Sequence, residues 1–540
     1  MKIALAQLNY IIADIPGNSK KIISAIREAK DQSADLIVFS ELAVCGYPPD
    51  DLLDYPHFIE SCKTAIHSIA SECKGITAVI GCPMENPEET GRRLYNSACV
   101  IEEGRIVDVI YKTLLPTYDV FNESRYFEVN DIFRTIEIRG KKIAITICED
   151  LWHEMDRFDY QDNPLKLLSV HAPELIINLS ASPFNHGKKA ERMNVLIKQS
   201  KTYQLPLVYV NQVGAHTDLI FDGSSVVLNK EGAIIHQSPS FAEDISYVEI
   251  GSNQLSEVSA ETEHIADIYE ALVFGIRDYF GKMGFKKAVL GSSGGIDSAV
   301  VQALLSDAIG SQNVHAVLLP SQYSSEGSVS DARLLSEQLG NSYSIIPIEN
   351  TFRAFESGLS ELFKGLPFNL AEENIQARSR AVYLMAISNK LGHILVNTSN
   401  KSEMSVGYST LYGDMCGSIS IIGDLFKTEV YQLADYINRD ENRIPESIIN
   451  KAPSAELRPD QKDSDSLPEY PVLDSILQAY VVEQKDPESI ISSGIERAVV
   501  EKVIKLVNNS EYKRFQAPPI LRVSKKAFGR GRIMPLVSKW

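Results

Sequence analysis

The sequence has seven cysteines, an odd number, and no CxxC pair among them. Neither a disulfide framework nor a thiolate zinc site is indicated, and a reducing, cytoplasmic setting is expected. No apolar run approaches the roughly 18 residues of a membrane span, so no transmembrane helix is predicted. The opening MKIALAQLNYIIADIPG lacks the long apolar region and small-residue cleavage site of a secretion signal, and reads better as an alternating strand. Positive charge is in deficit: 53 Lys and Arg against 71 Asp and Glu leave a net charge of −18. Nucleic acid or an anionic membrane would need a broad cationic face, so neither is an expected partner. Internal repeats and low-complexity tracts are also missing.

What is present is ordinary globular material in quantity. The 540 residues are 44% hydrophobic and 23% charged, which excludes a disordered or fibrous chain and allows more than one domain. The first 250 residues carry short β-type runs: KIALAQL, DLIVFSE, ITAVIG, KKIAITICED, ELIINLS and LPLVYVNQ. Helical patterns at 18–30 and 191–202 lie between them, so an α/β layer fold is expected. Residues 251–263, GSNQLSEVSAETE, are polar and read as a linker. A helical pattern over 264–283 follows. Then KKAVLG, VHAVLLP, SYSIIPI and HILVNT alternate with helical stretches, as a doubly wound parallel sheet requires. The expected domains are 1–250 and 264–540. Residues 452–471, rich in Pro, Asp and Ser, are expected to form a mobile loop.

The strongest motif is Gly291-Ser292-Ser293-Gly294-Gly295-Ile296-Asp297-Ser298, with an apolar strand before it and a helical pattern after it. A glycine-rich turn on a helix N-terminus aims backbone N–H groups and the helix dipole at one point, which favours an anion. An aspartate is a poor direct partner for phosphate, so Asp297 implies a bridging Mg²⁺. No GK[ST] follows, so this is not a Walker A loop. The motif resembles the pyrophosphate loop of the ATP pyrophosphatases, which split ATP between its α and β phosphates.

Three segments of the first half end apolar runs with chemical side chains: Ser40-Glu41, Tyr111-Lys112 and Cys148-Glu149-Asp150. A carboxylate, a cation and a thiol could form a base, an electrostatic partner and a nucleophile. A free thiol is only a few per cent thiolate at neutral pH, so a neighbouring base is needed. Taken singly, each residue also reads as structural. Together, SELAVCGYPPDDLL, YKTLLPTYDVFNESRYF and ICEDLW resemble the Glu-Lys-Cys pattern of the nitrilase-like amidases.

A nitrilase-like half ahead of an SGGxDS half is similar, over essentially the whole chain, to the two-domain glutamine-dependent NAD synthetases. The resemblance implies an αββα sandwich followed by a Rossmann-like domain. It implies ATP-dependent amidation of deamido-NAD, the last step of NAD biosynthesis, with ammonia taken from L-glutamine and AMP, diphosphate and glutamate released through an adenylate. It makes Glu41 the proton acceptor, Lys112 the supporting cation and Cys148 the nucleophile, with Tyr118, Ser182 and Lys188 binding glutamine. Relatives often carry Arg near position 188, and Asp where this chain has Asn122. In the second half the loop 291–298 and Thr398 would bind ATP, Asp297 and Glu403 Mg²⁺, and Asn374, Glu403 and Lys513 deamido-NAD. The loop 452–471 would close over bound nucleotide. The resemblance also implies a homo-oligomer, an octamer being one form it would take, and passage of ammonia between the two halves.

Overall fold

The structure is a computed structural model that describes residues 1–153, 160, 162–251, 264–459 and 461–539. The chain divides into two compact units, Met1–Glu261 and Thr262–Trp540. Beyond Gly251, the expected linker lies outside the described residues.

Two six-stranded sheets form the middle of the first unit. One runs Asp244–Glu249, Lys2–Gln7, Leu36–Val38, Thr77–Glu85, Leu94–Glu102, Arg105–Tyr111. The other runs Ile234–Gln237, Val226–Leu228, Leu207–Asn211, Leu175–Ser180, Lys141–Ile147, Ile136–Ile138. The two-residue period of a strand sorts the side chains. Ile3, Leu5, Val38 and Val79 of the first sheet share one core with Ile143, Ile145, Ile177, Leu179 and Val208 of the second. The alternate positions Ala4, Ala6, Ile37 and Ile80 pack under the helices Ile15–Asp31 and Pro56–Glu72. On the other side, Ile176, Leu207 and Tyr209 pack against Val195 and Leu196 of the helix Lys188–Tyr203. The layers are therefore helix, sheet, sheet, helix. Both faces of each sheet are covered, which explains why many strands read as unbroken apolar runs.

The helix expected at 18–30 begins earlier, at Ile15, because Asp14 caps it: its carboxylate accepts from the Gly17 N–H at 3.0 Å. Pro16 fits the first turn, where no backbone N–H is needed. Ile22, Ala25, Ile26 and Ala29 then recur on one buried face. Burying each isoleucine contributes about 1.5–3 kcal/mol.

The second unit is built on five parallel strands, in the order Ser342–Ile345, Val314–Leu318, Ala288–Gly291, Ile394–Asn397, Ile419–Ser420. The order reverses between Ala288–Gly291 and Ile394–Asn397. A crevice opens there, beyond the strand C-termini, and that is where open α/β sheets take ligands. The helix Ile296–Ile309 starts in it.

The loop expected to be mobile is fastened at several points. Glu456 accepts from the hydroxyls of Ser325 at 3.1 Å and Ser328 at 2.6 Å. Gln376 donates to the Leu457 carbonyl at 2.9 Å, and Tyr470 donates to Asp463 at 2.8 Å. Among the described residues no helix is long and apolar enough to cross a membrane.

Candidate active sites

In the first unit, Glu41 follows the strand Leu36–Val38 and Lys112 follows Arg105–Tyr111. Cys148 ends Lys141–Ile147 and opens a tight turn, Cys148–Leu151. The fold brings all three together, buried. The Lys112 ammonium lies 2.7 Å from Glu41 Oε1 and 2.8 Å from both oxygens of Glu123. Asn96 donates to Glu41 at 2.7 Å, and the Tyr47 hydroxyl donates to Glu123 at 2.9 Å. The Ala181 N–H donates to the other Glu41 oxygen at 3.1 Å. Glu123, Asn96 and Tyr47 were not singled out in the sequence. Glu123 sits in the quoted segment NESRYF, but nothing in its spacing separates it from a loop carboxylate.

Backbone geometry sets these groups. A side chain at Gly81 would place its Cβ 2.3 Å from the Leu42 nitrogen and 2.4 Å from the Ser40 carbonyl. Glycine there lets the Glu41 segment lie directly against the neighbouring strand. Cys148 has φ of 44°, a left-handed conformation that costs a non-glycine residue about 1–3 kcal/mol. Asp150 holds it: its carboxylate accepts from the N–H groups of Ile147 at 2.9 Å, Thr113 at 3.0 Å and Leu114 at 2.8 Å. That one side chain ties the Cys148 turn to the Lys112 segment.

The electrostatics are those of a shared proton site. Burial pulls Lys112 down, but Glu123 and Glu41 more than offset it, so the ammonium stays charged well past its ordinary range. Burial pushes the Cys148 thiol up, Glu41 adds to the rise and Lys112 opposes it. At rest the sulfur is a thiol beside a carboxylate. Burial pushes Glu123 up to about 7, with Lys112 opposing.

Tyr118, Ser182 and Lys188 gather at the same end. The Tyr118 hydroxyl donates to Glu149 at 3.0 Å, and so does Tyr160. Ser182 is buried, with its N–H on Asn211 at 2.9 Å. Lys188 opens the helix Lys188–Tyr203, yet its ammonium is folded inward, 3.8 Å from the Trp152 ring centre. Burial holds its pKa below the usual lysine value, while Glu191 and Glu149 oppose that. Glu149, named in the sequence only as part of the Cys148 segment and given no role, is a buried carboxylate at the same site.

In the second unit, residues 291–293 and 295–298 line a cleft of about 300 Å³, together with Thr398, Glu403, Asp414 and Lys427. Gly294 has φ of 77°, and a Cβ there would come within 2.2 Å of the Ser328 carbonyl oxygen, so the turn requires glycine. Asp297 accepts from Asn400 at 2.8 Å and pairs with Lys427 at 2.5 Å; Lys427 also lies 3.5 Å from Glu403. Burial and the neighbouring Asp297 push Glu403 up to about 8. Asp463 adds a third carboxylate, this one buried, and its Oδ1 has no hydrogen-bond partner. Hard oxygens with more negative charge than the one lysine balances are the donor set of a divalent cation.

The other expected residues stand apart from this cleft. Lys513 donates to the carbonyls of Gly407 and Ser409, both at 2.7 Å. Asn374 accepts from the Thr410 hydroxyl at 2.7 Å. Both brace the loop that leads to Asp414, which lines the cleft.

The geometry defines a protein that carries a nitrilase-type amide-hydrolysing centre in one unit and an ATP pyrophosphatase-type nucleotide cleft in the other. The comparisons agree on both. Residues 2–260 match the Carbon-nitrogen hydrolase family and residues 268–517 match NAD synthase. A glutamine-dependent NAD(+) synthetase of Synechocystis sp. is 45% identical over 99% of this chain and 98% of its own length. That of Acinetobacter baylyi is 43% identical over 100% of this chain and 98% of its own. The solved Acinetobacter baumannii glutamine-dependent NAD+ synthetase in complex with ADP superposes with a TM-score of 0.79 at 40% identity, over 99% of this chain and 98% of that one. The chain belongs to the glutamine-dependent NAD(+) synthetases.

Proposed function

We propose that the first unit frees ammonia from L-glutamine and that the second uses it, with ATP, to amidate deamido-NAD to NAD, giving glutamate, AMP and diphosphate. The observation that carries the reading is that each unit gathers a constellation of its own: Glu41, Lys112 and Glu123 beside Cys148 in one, Asp297, Lys427 and Glu403 at a glycine turn in the other. The full-length relatives named above carry the same activity in their names.

In the first unit, Glu41 takes the Cys148 proton as sulfur attacks the glutamine amide carbon. Lys112, held cationic, stabilises the developing negative charge. The proton passes to the leaving nitrogen and ammonia departs. Water, activated by the same Glu41, then clears the thioester as glutamate. Lys188 faces the glutamine α-carboxylate and Glu149 its α-ammonium, with Tyr118 and Ser182 completing the pocket. An amino acid carries both charges, which accounts for a buried cation and a buried anion at one end of the site.

In the second unit, the loop 291–298 and Thr398 cradle the ATP phosphates. Asp297 and Glu403 would hold Mg²⁺, which when bound neutralises phosphate charge. Lys427 leaves its carboxylate partners for phosphate. The nicotinate carboxylate attacks the α phosphorus, diphosphate leaves, and ammonia displaces AMP from the acyl-adenylate. Asn374 and Lys513 serve deamido-NAD by shaping the loop that ends at Asp414.

We also read the chain as a cytoplasmic homo-oligomer. Seven unpaired thiols fit a reducing compartment. The 22-residue helix Leu370–Leu391 has only four buried residues, and it exposes Val382 and Met385, one turn apart on a face that suits a second copy. The test of the division of labour is complementary. Cys148→Ala should lose NAD formation from glutamine and keep it from ammonium, while Asp297→Asn should lose both. Loss of ammonium-dependent synthesis in folded Cys148→Ala would overturn it.

A further inference from the structure

The carboxylates of Asp297 and Glu403 come from segments more than a hundred residues apart, and one side chain touches the scaffolding of both. Asn400 is fully buried between them. Its Nδ2 donates to Asp297 Oδ1 at 2.8 Å, and its Oδ1 accepts from the Glu403 backbone N–H at 2.9 Å. The second bond caps the short helix Lys401–Val406 and fixes where Glu403 leaves the backbone. It also settles the amide orientation. Only the oxygen can accept from an N–H, so the NH₂ must face the Asp297 carboxylate.

The neighbouring side chains are equally committed. The Lys401 ammonium, also fully buried, bonds Asp424 at 2.8 Å, Ser524 at 2.7 Å and the Lys526 carbonyl at 2.8 Å. Ser402 donates to Asp474 and accepts from the Lys427 backbone N–H at 2.9 Å. Three consecutive residues thus reach the glycine turn, the C-terminal segment and the helix that carries Lys427. Packing of this kind leaves Asn400 no freedom to turn away.

We propose that Asn400 is a positioning residue for the nucleotide-bound divalent cation. It locks one Asp297 oxygen so that the other, Oδ2, faces Lys427 and Glu403, and in the same amide it anchors the Glu403 backbone. The proposal rests on reading Asp297 and Glu403 as the cation-holding pair. Its physical basis is pre-organisation. A carboxylate with one oxygen already bonded needs no reorientation when a cation arrives, and outer partners of metal-holding groups typically affect affinity by about 10- to 100-fold.

The two bonds can be separated. Serine is as good an N-cap as asparagine but is too short to reach Asp297. Alanine loses both bonds. The measurement is binding of Mn²⁺ with α,β-methylene-ATP to the full-length protein, followed by electron paramagnetic resonance against a protein-free Mn²⁺–nucleotide control, together with thermal melting of each variant. Asn400→Ser keeps the cap and should melt closer to wild type than Asn400→Ala, yet bind Mn²⁺–nucleotide about 10- to 100-fold more weakly. Asn400→Ala should bind as weakly and also melt lower. Asp297→Asn, the control, should bind at least as weakly as Asn400→Ser. Wild-type Mn²⁺ affinity in Asn400→Ser, with affinity lost in Asp297→Asn, would reduce Asn400 to a helix cap and overturn the proposal. Wild-type affinity in Asp297→Asn would overturn the underlying assignment of the pair instead. Should the serine variant not fold, Asn400→Thr retains the cap and is read by the same criteria.

Discussion

Glu123 offers a perturbation whose two forms should behave oppositely. Glu123→Ala removes both of its bonds to Lys112 and the acceptor of the Tyr47 hydroxyl. Breaking a buried ion pair costs about 3–5 kcal/mol, and an orphaned hydroxyl adds about 1–3 kcal/mol. The sum approaches the whole stability of a domain, about 5–15 kcal/mol, so this variant should be largely unfolded. Glu123→Gln keeps the shape and an acceptor oxygen, so it should fold. What it loses, in an assay at about pH 8.5 where Glu123 is ionised, is one negative charge. Glu41 and Glu123 each lie within 2.8 Å of the same ammonium, so their bonded oxygens are less than about 6 Å apart. At that spacing, with an effective dielectric near 20, removing one charge changes the field at Glu41 by about 3 kcal/mol. Lys112 then grips Glu41 without competition, and Glu41 accepts the thiol proton less readily. Glutamate release should fall about 10- to 100-fold, since general-base efficiency tracks only part of that energy. Ammonium-dependent NAD formation should be unchanged. The assay is glutamate release and NAD formation on one preparation whose circular dichroism matches wild type. A full glutaminase rate in Glu123→Gln would refute the reasoning.

Further outcomes follow from other parts of the structure. The depressed Lys188 pKa means that its charge disappears below the 10.5 of a free lysine, so the KM for glutamine should climb as pH rises toward that value. Lys188→Arg, which stays charged, should push the climb to higher pH; an identical profile would argue against a carboxylate partner. Glu456→Ala removes the fastening of residues 452–465 on Ser325 and Ser328, so cleavage there by a protease should speed up and the KM for ATP should rise about tenfold. Unaltered values for both would mean that the fastening is incidental. Val382→Glu places a charge on the exposed face of Leu370–Leu391 and should lower the mass measured by light scattering; an unchanged mass would clear that face of a role in assembly.

Much of this was readable from local spacing. The glycine turn, the strand before it and the helix after it are contiguous in sequence, so residues 291–298 announce an anion site without any tertiary knowledge. Glu41, Lys112 and Cys148 are separate in sequence, but each stands at the end of an apolar run, and a layered α/β fold collects strand ends. Side chains whose meaning depends on distant partners were not readable. Asp297 and Lys427 are 130 residues apart, and only the switch in strand order brings them together. Glu123 looks like any loop carboxylate until Lys112 is found against it. Lys513 looks like a free cation in the sequence, but its ammonium is committed to the carbonyls of Gly407 and Ser409. The composition of residues 452–471 suggests motion; the bond from Ser328 to Glu456, across 128 residues, is a fastening that composition does not announce.

The most direct test of the account is a product analysis in one tube. Purified protein is given deamido-NAD, ATP and glutamine labelled with ¹⁵N in its side-chain amide, and the products are weighed and counted by mass spectrometry. NAD carrying the label, with AMP, diphosphate and glutamate formed in equal amounts, is the expected result. Release of ADP and phosphate, or NAD without the label while glutamine is consumed, would contradict it.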